Sequence, residues 1–351
     1  MKLTSRCGCG VDTHAHIIPH DFPAYLGSAT PPGWPSMAPA QACHRSVMID
    51  GKNYRTVRDT SWDVSKRLAD LAEMDLALQA ISPMPELLSY WLAAPAAAQL
   101  VRYLNEQIAA MVAESGGRLV GLGAVPLQNV DKAIDELRYI MATPGFAGVE
   151  LGSNVNGKPL GHAEFDPFFE ACEALGAAVF VHALRPAGMA RLVGPPALEQ
   201  VLGYPTDIGL CAASVITSNL IERRPNLRIA FSHGGGTLAM LLPRLQQGWG
   251  VFPGLKEALH ASPAEQARKL FYDTLVFDAP TLQHLLLKFG PTQLMIGTDY
   301  PFNFQETRPV SAIETAVQTA LQTAVVGTGR DDSTVQKLVH ENARRFLGTP
   351  L

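Results

Sequence analysis

At 351 residues, with 47% hydrophobic and 17% charged side chains, the chain can bury a substantial core, which excludes global disorder. Its formal net charge of −4, with lysine and arginine scattered, offers no basic footprint for nucleic acid. No apolar run reaches the roughly 18 residues of a membrane span, and the start, MKLTSRCGCG, lacks a signal peptide's apolar core, so a soluble, cytoplasmic protein is expected.

Cys7 and Cys9 form a CxC with no second cysteine pair nearby, too little for a metal site. Five cysteines, an odd number in a long chain, fit a reducing compartment better than a disulfide frame. Residues 11–17 read VDTHAHI. In a strand, alternate side chains share a face, so Asp12, His14 and His16 are expected to point one way. The two imidazoles would stand about 6.5–7 Å apart at Cα by strand rise, close enough to meet on one divalent ion. A lone HxH is equally consistent with two polar residues on a half-exposed strand.

Residues 18–60 are rich in Pro, Gly and Ser and contain two β-like pieces, 46–49 and 53–57, about Asp50–Gly51, a hairpin-turn pair. A structureless stretch of that length argues against a compact domain, so it reads as a functional insertion after the first strand, within a single domain spanning residues 1–351. Residues 62–75 then suit a helix behind a Ser61 cap.

Beyond it, apolar strand-like runs alternate with amphipathic helices. The strands are expected at 76–82, 119–127, 147–151, 178–183, 228–232, 271–277 and 294–297. Helices are expected at 130–141, at 168–175 behind Asp166–Pro167, and from Pro280 to a stop at Gly290. With the first stretch this makes eight strands, each followed by a helical segment. Eight such units predict a (β/α)₈ TIM barrel of parallel strands. The first strand lacks a following GxGxxG, which weakens a dinucleotide reading.

Active-site residues of such a barrel sit at the C-terminal ends of the strands. Strand one ends in His14 and His16, strand five (VFVHAL) in His182, strand six (AFSHGGG) in His233 and strand eight (MIGTDYPF) in Asp299. Taken singly, each histidine could be a satisfied core residue and Asp299 a loop cap. Four strands ending in metal-competent residues argue instead for a metal centre.

This set resembles the amidohydrolase superfamily of metal-dependent barrels, and more narrowly its decarboxylating branch typified by α-amino-β-carboxymuconate-ε-semialdehyde decarboxylase. The resemblance rests on VDTHAHIIP, GKNYRTV, SWDVSKRLADLAEMD, GLGAVPLQ, FAGVELG, FVH, RIAFSHGGG, GTDYPF and ENARRFLG, in order along nearly the whole chain. It implies that His14, His16, His182 and Asp299 bind one zinc, with manganese or cobalt as exchangeable alternatives, and that His233 is a nearby acid/base. It further implies that Arg55 and Arg244 hold substrate carboxylates, Arg244 from a second subunit, and hence a homodimer with shared active sites. One departure is that strand five continues as His182-Ala183-Leu184-Arg185, where the relatives have a His-Pro-Trp-Asp type segment.

The residue chemistry is consistent with that reading. Three neutral imidazoles and a carboxylate leave a zinc site of net charge about +1 with an open position for water, whose pKa falls to roughly 7. His233 can exchange a proton near neutral pH, with His233 or Asp299 managing the proton of the reaction. Arg55 is either a solvated hairpin charge or, with its planar fork, a carboxylate clamp. The expected activity is a zinc-dependent, non-oxidative decarboxylation of a small unsaturated or aromatic carboxylic acid, without an organic cofactor. The alternative is metal-dependent hydrolysis of an amide, ester or lactone.

Overall fold

The computed structural model describes residues 9–323 and 332–348; Cys7 lies outside them. Eight parallel strands form the barrel: β1 (Gly10–Asp12), β2 (Leu76–Pro83), β3 (Leu119–Gly123), β4 (Phe146–Gly152), β5 (Ala178–His182), β6 (Arg228–Phe231), β7 (Phe271–Asp273) and β8 (Leu294–Met295). They neighbour one another in chain order, and bridges from Asp12 to Ile296 and from Ala15 to Tyr300 bring β8 back to the first strand. Right-handed β–helix–β connections impose this order when every strand is parallel. This is a (β/α)₈ TIM barrel.

Period-two alternation divides the core. Val11, Ala80, Leu122, Ala147, Phe180, Ala230, Phe271 and Met295 supply an inner cluster with one of these residues from each strand, joined by Phe346 and Leu347 of the last helix (Asn342–Leu347). The opposite faces pack on the surrounding helices.

Several strands are shorter than periodicity predicts. β7 stops at Asp273, whose Oδ1 accepts from the amide of Leu275 at 3.1 Å, and β1 stops at Asp12, whose Oδ1 accepts from the amide of His14 at 3.1 Å. An aspartate that binds the amide two residues on offers the backbone an alternative to the ladder. The first stretch therefore breaks, and pairing with β2 resumes at His16–Ile17.

The insertion holds an antiparallel sheet of three strands, Pro35–Pro39, His44–Ile49 and Lys52–Arg58. The hairpin about Asp50–Gly51 is where the turn pair places it; the extra edge strand, PSMAP, is bounded by prolines that hide a strand from propensity rules. The helix that follows runs Val64–Glu73, and its cap is Asp63, accepting from the Lys66 amide, rather than Ser61.

That helix carries a fully buried arginine. Arg67 donates to the Gln79 side chain at 2.8 Å and to the His16 carbonyl at 2.7 Å, beneath the Tyr300 ring. Gln79 in turn donates to Asp12 at 2.8 Å, and Asp12 also accepts from the Thr298 hydroxyl at 2.7 Å. One polar chain thus ties the first helix, β1, β2 and the end of β8 together. Buried polar groups persist only when paired. Arg67→Met is expected to leave the His16 carbonyl and Gln79 short of a donor and to cost about 2–4 kcal/mol of stability, measurable by urea unfolding.

Candidate metal centre

The strand ends converge. His14, His182, His233 and Asp299 each offer one ligand atom, and all four atoms lie within 4.8 Å of one another. His16 joins them: its Nε2 is 3.2 Å from His14 Nε2 and 3.1 Å from Asp299 Oδ1. Every histidine and aspartate read from the strand ends is therefore in one place. Asp12, although part of the same motif, is occupied by Thr298, Gln79 and the His14 amide instead.

What orients the rings separates the histidines into two kinds. His14 donates through Nδ1 to Asp273 Oδ2 at 2.7 Å, His16 Nδ1 faces the Pro83 carbonyl at 3.1 Å, and His182 Nδ1 faces the Ala183 carbonyl at 2.8 Å. An acceptor at Nδ1 assigns the proton to that nitrogen and turns the Nε2 lone pair toward the centre, the arrangement typical of ligating histidines. His233 differs, because its Nδ1 is buried with no partner among the described residues.

The inward atoms fit a divalent cation. His14 Nε2 and His16 Nε2 face each other at 3.2 Å although both rings have spent their Nδ1 protons elsewhere. Two lone pairs at that distance repel unless a cation or a proton lies between them. His182 Nε2 likewise has no hydrogen-bond partner among the described residues. Separations of 3.1 to 3.4 Å among these atoms match donors that each lie about 2.0–2.2 Å from one ion.

The protein's own charges point the same way. Burial disfavours protonated His14, but the carboxylates of Asp273 and Asp299 override it and raise its pKa to about 10. Burial lowers His16 and takes His182 well below the usual range, and together with His14 it brings His233 down to about 4. Burial opposes ionisation of Asp299, yet His14 and His16 hold it well below the carboxylate range. Both His233 (φ 54°) and Asp299 (φ 62°) adopt left-handed backbone, a strain that clusters at functional sites.

A cavity of about 770 Å³ opens above the centre, within the usual size for a small-molecule site. His182, His233 and Asp299 line it, and Arg55 reaches it from the insertion, its guanidinium 4.3 Å over the Phe302 ring, which stacks on His16. Tyr204 stacks on His233 with an interplanar angle of 14°. Arg244 does not line this cavity; it is exposed on the helix Leu238–Val251.

Sequence reasoning missed three acidic residues. Asp273 ends β7 and accepts from His14 and from the amides of His233 and Gly234 at 3.0 and 2.8 Å; the rule that found Asp299 at a strand end would have found it. Glu150, on β4, is fully buried 3.9 Å from His16 Nδ1, and burial raises its pKa to about 8. Glu86 lines the cavity and has no sequence signal.

Fold and centre define a class: a TIM-barrel enzyme built around a histidine–aspartate centre suited to a metal ion. The chain belongs to the amidohydrolase family, which matches residues 11–349, and within it to the carboxy-lyases resembling 2-amino-3-carboxymuconate-6-semialdehyde decarboxylase. It is 34% identical over 340 residues to the 2-amino-3-carboxymuconate-6-semialdehyde decarboxylase of Dictyostelium discoideum, covering 96% of this chain and 91% of that protein. Among solved structures, apo IDCase of Metarhizium anisopliae superimposes with a TM-score of 0.78 at 22% identity, covering 97% of each chain. The manganese complex of 5-carboxyvanillate decarboxylase from Novosphingobium aromaticivorans gives 0.69 at 19%, covering 83% of this chain and 82% of that one. These two likenesses establish the shared fold.

Asp273→Asn removes the charge that orients His14 and keeps the shape. It is expected to weaken divalent-metal affinity by about 10- to 100-fold, measured by competition against a chromophoric chelator.

Proposed function

We propose that the protein is a zinc-dependent, non-oxidative decarboxylase of a small unsaturated or aromatic carboxylic acid, of the aminocarboxymuconate-semialdehyde type, that works without an organic cofactor. The observation that carries this reading is the convergence of three acceptor-anchored histidines and Asp299 beneath a cavity that Arg55 enters. In this reading His14, His16, His182 and Asp299 hold the ion; manganese, bound in the 5-carboxyvanillate decarboxylase structure, or cobalt can exchange for zinc. When bound, the ion supplies a positive charge that polarises the acid and offsets the negative charge left as the carbon–carbon bond breaks.

The chain's own residues do the rest. Arg55 binds a carboxylate of the substrate through its planar fork, held in place on Phe302. Loss of CO₂ leaves an electron pair on carbon that must gain a proton. His233 is placed to relay that proton from water to the carbon, taking one up at one ring nitrogen as it gives one: it lines the cavity and lacks the Nδ1 anchor that commits the other three histidines. Tyr204 stacks on its ring.

The reading includes a two-fold dimer with shared sites. Arg244 shares one helix face with Met240, Gln247 and Val251, at spacings of four, three and four residues, and Met240 and Val251 are 72% and 59% exposed. Among the described residues Arg244 has no ion pair, and an exposed arginine flanked by Met240 and Val251 suits a second copy of the chain, into whose cavity Arg244 would reach.

Release of CO₂ from ring-opened aminocarboxymuconate or hydroxybenzoates, assayed beside a panel of lactones, separates this activity from hydrolysis; turnover of lactones alone would sink it. His233→Ala should keep near one metal per chain and lose activity about 100-fold or more, whereas Asp299→Ala should lose the metal. Metal loss in the His233 variant would reverse the assignment.

Arg55→Ala and Arg244→Ala are each expected to be nearly inactive as homodimers. A mixed dimer has one site with both arginines and one with neither, so co-expression should restore a measurable fraction of activity. Isolated hybrids as inactive as their parents would rule out the shared site.

A further inference from the structure

Glu86 sits in the short turn Pro85–Leu88 that follows β2, in the wall of the catalytic cavity, with its side chain 10% exposed. One of its oxygens is fixed: Oε1 accepts from Arg185 Nη2 at 2.6 Å and from Nε at 3.2 Å. Arg185 is itself held, its guanidinium 3.1 Å over the Trp91 ring and its backbone in the left-handed region at φ 41°. Among the described residues Oε2 makes no hydrogen bond, and the carboxylate faces the same cavity as Arg55.

An anion in the wall of a cavity that takes a carboxylic acid constrains how the acid lies. Ionised, Glu86 can accept hydrogen bonds but not donate them, so it offers a substrate carboxylate nothing, whereas Arg55 offers donors and directs that group toward itself and the centre. Arg185 fixes the rotamer of Glu86 and balances its charge, which leaves Oε2 as a fixed acceptor rather than a free anion seeking a cation. Its complement is a neutral O–H or N–H donor.

We propose that Glu86, positioned by Arg185, is a specificity-determining residue that accepts a hydrogen bond from a hydroxyl or amino substituent of the acid. The proposal rests on the acid-binding reading of the cavity given above. A hydrogen bond to a charged acceptor is worth about 10- to 150-fold in affinity, and a site built to bond a donor rejects an analogue that lacks it.

The test uses the purified, metal-containing full chain and calorimetric Kd values for hydroxy- and aminobenzoates at ring positions 2, 3 and 4, each beside its methoxy partner. The unaltered protein should bind at least one hydroxy or amino acid tenfold or more tightly than its partner. That ratio should fall to near one in Glu86→Leu and in Glu86→Gln, whose amide oxygen would face Arg185 and whose N–H₂ would face the cavity. Thermal melting and metal content check that both variants fold; should Glu86→Leu not fold, Glu86→Gln carries the test. A ratio that persists in the variants, an equal loss of both partners, or no preference in the unaltered protein would overturn the proposal while leaving acid binding intact. Failure of the unaltered protein to bind any of these acids would overturn the acid-binding reading itself, and Glu86 with it.

Discussion

The hydrogen bond from His14 Nδ1 to Asp273 Oδ2, 2.7 Å long and fully buried, is the contact on which the rest of the site depends. It joins the first strand's motif to the seventh strand. The same carboxylate accepts the amides of His233 and Gly234, so one side chain sets both the ring that turns inward on strand one and the turn that presents His233 after strand six. Its own strand ends there for the same reason, since Asp273 also accepts the Leu275 amide. A metal centre needs ligands fixed to within a fraction of an ångström, and hydrogen bonds behind the ligands supply that precision.

Burial gives these contacts their strength. His14, His16 and Asp273 are wholly shielded from solvent, so charges there interact through a medium that screens far less than water. In such surroundings the carboxylates of Asp273 and Asp299 favour positive charge at His14, while burial keeps His16, His182 and His233 neutral. The centre thus gathers electron pairs around one point while an unanchored imidazole stays beside it. Arg67 plays the matching part below the centre, where a buried cation satisfies the His16 carbonyl and, through Gln79, reaches Asp12.

The rim has a different logic. The barrel wall supplies the centre, but Arg55 arrives on the inserted sheet and Glu86 on the turn after β2, and both line the cavity above it. Loops vary more freely than the strands they follow. Relatives of the same fold can therefore keep the centre and change the acid.

The sequence determined the barrel, the helices and the strand-end set His14, His16, His182, His233 and Asp299, because strand alternation and strand ends are local properties that a single chain displays. The Asp50–Gly51 hairpin and the Pro280 start of the helix Ala279–Phe289 were legible for the same reason. Where strands stop was less legible: Asp12 and Asp273 end theirs with side-chain hydrogen bonds that an apolar pattern does not record. Only the tertiary structure decided which residues stand behind the inward-facing histidines and which line the cavity. His14 and Asp273 lie 259 residues apart, and Glu86 and Arg185 lie 99 apart. Such pairs have no periodicity to betray them; they meet because the closed barrel brings distant strand ends to one mouth, and at His14 and Asp273 full burial makes an unpaired charge costly.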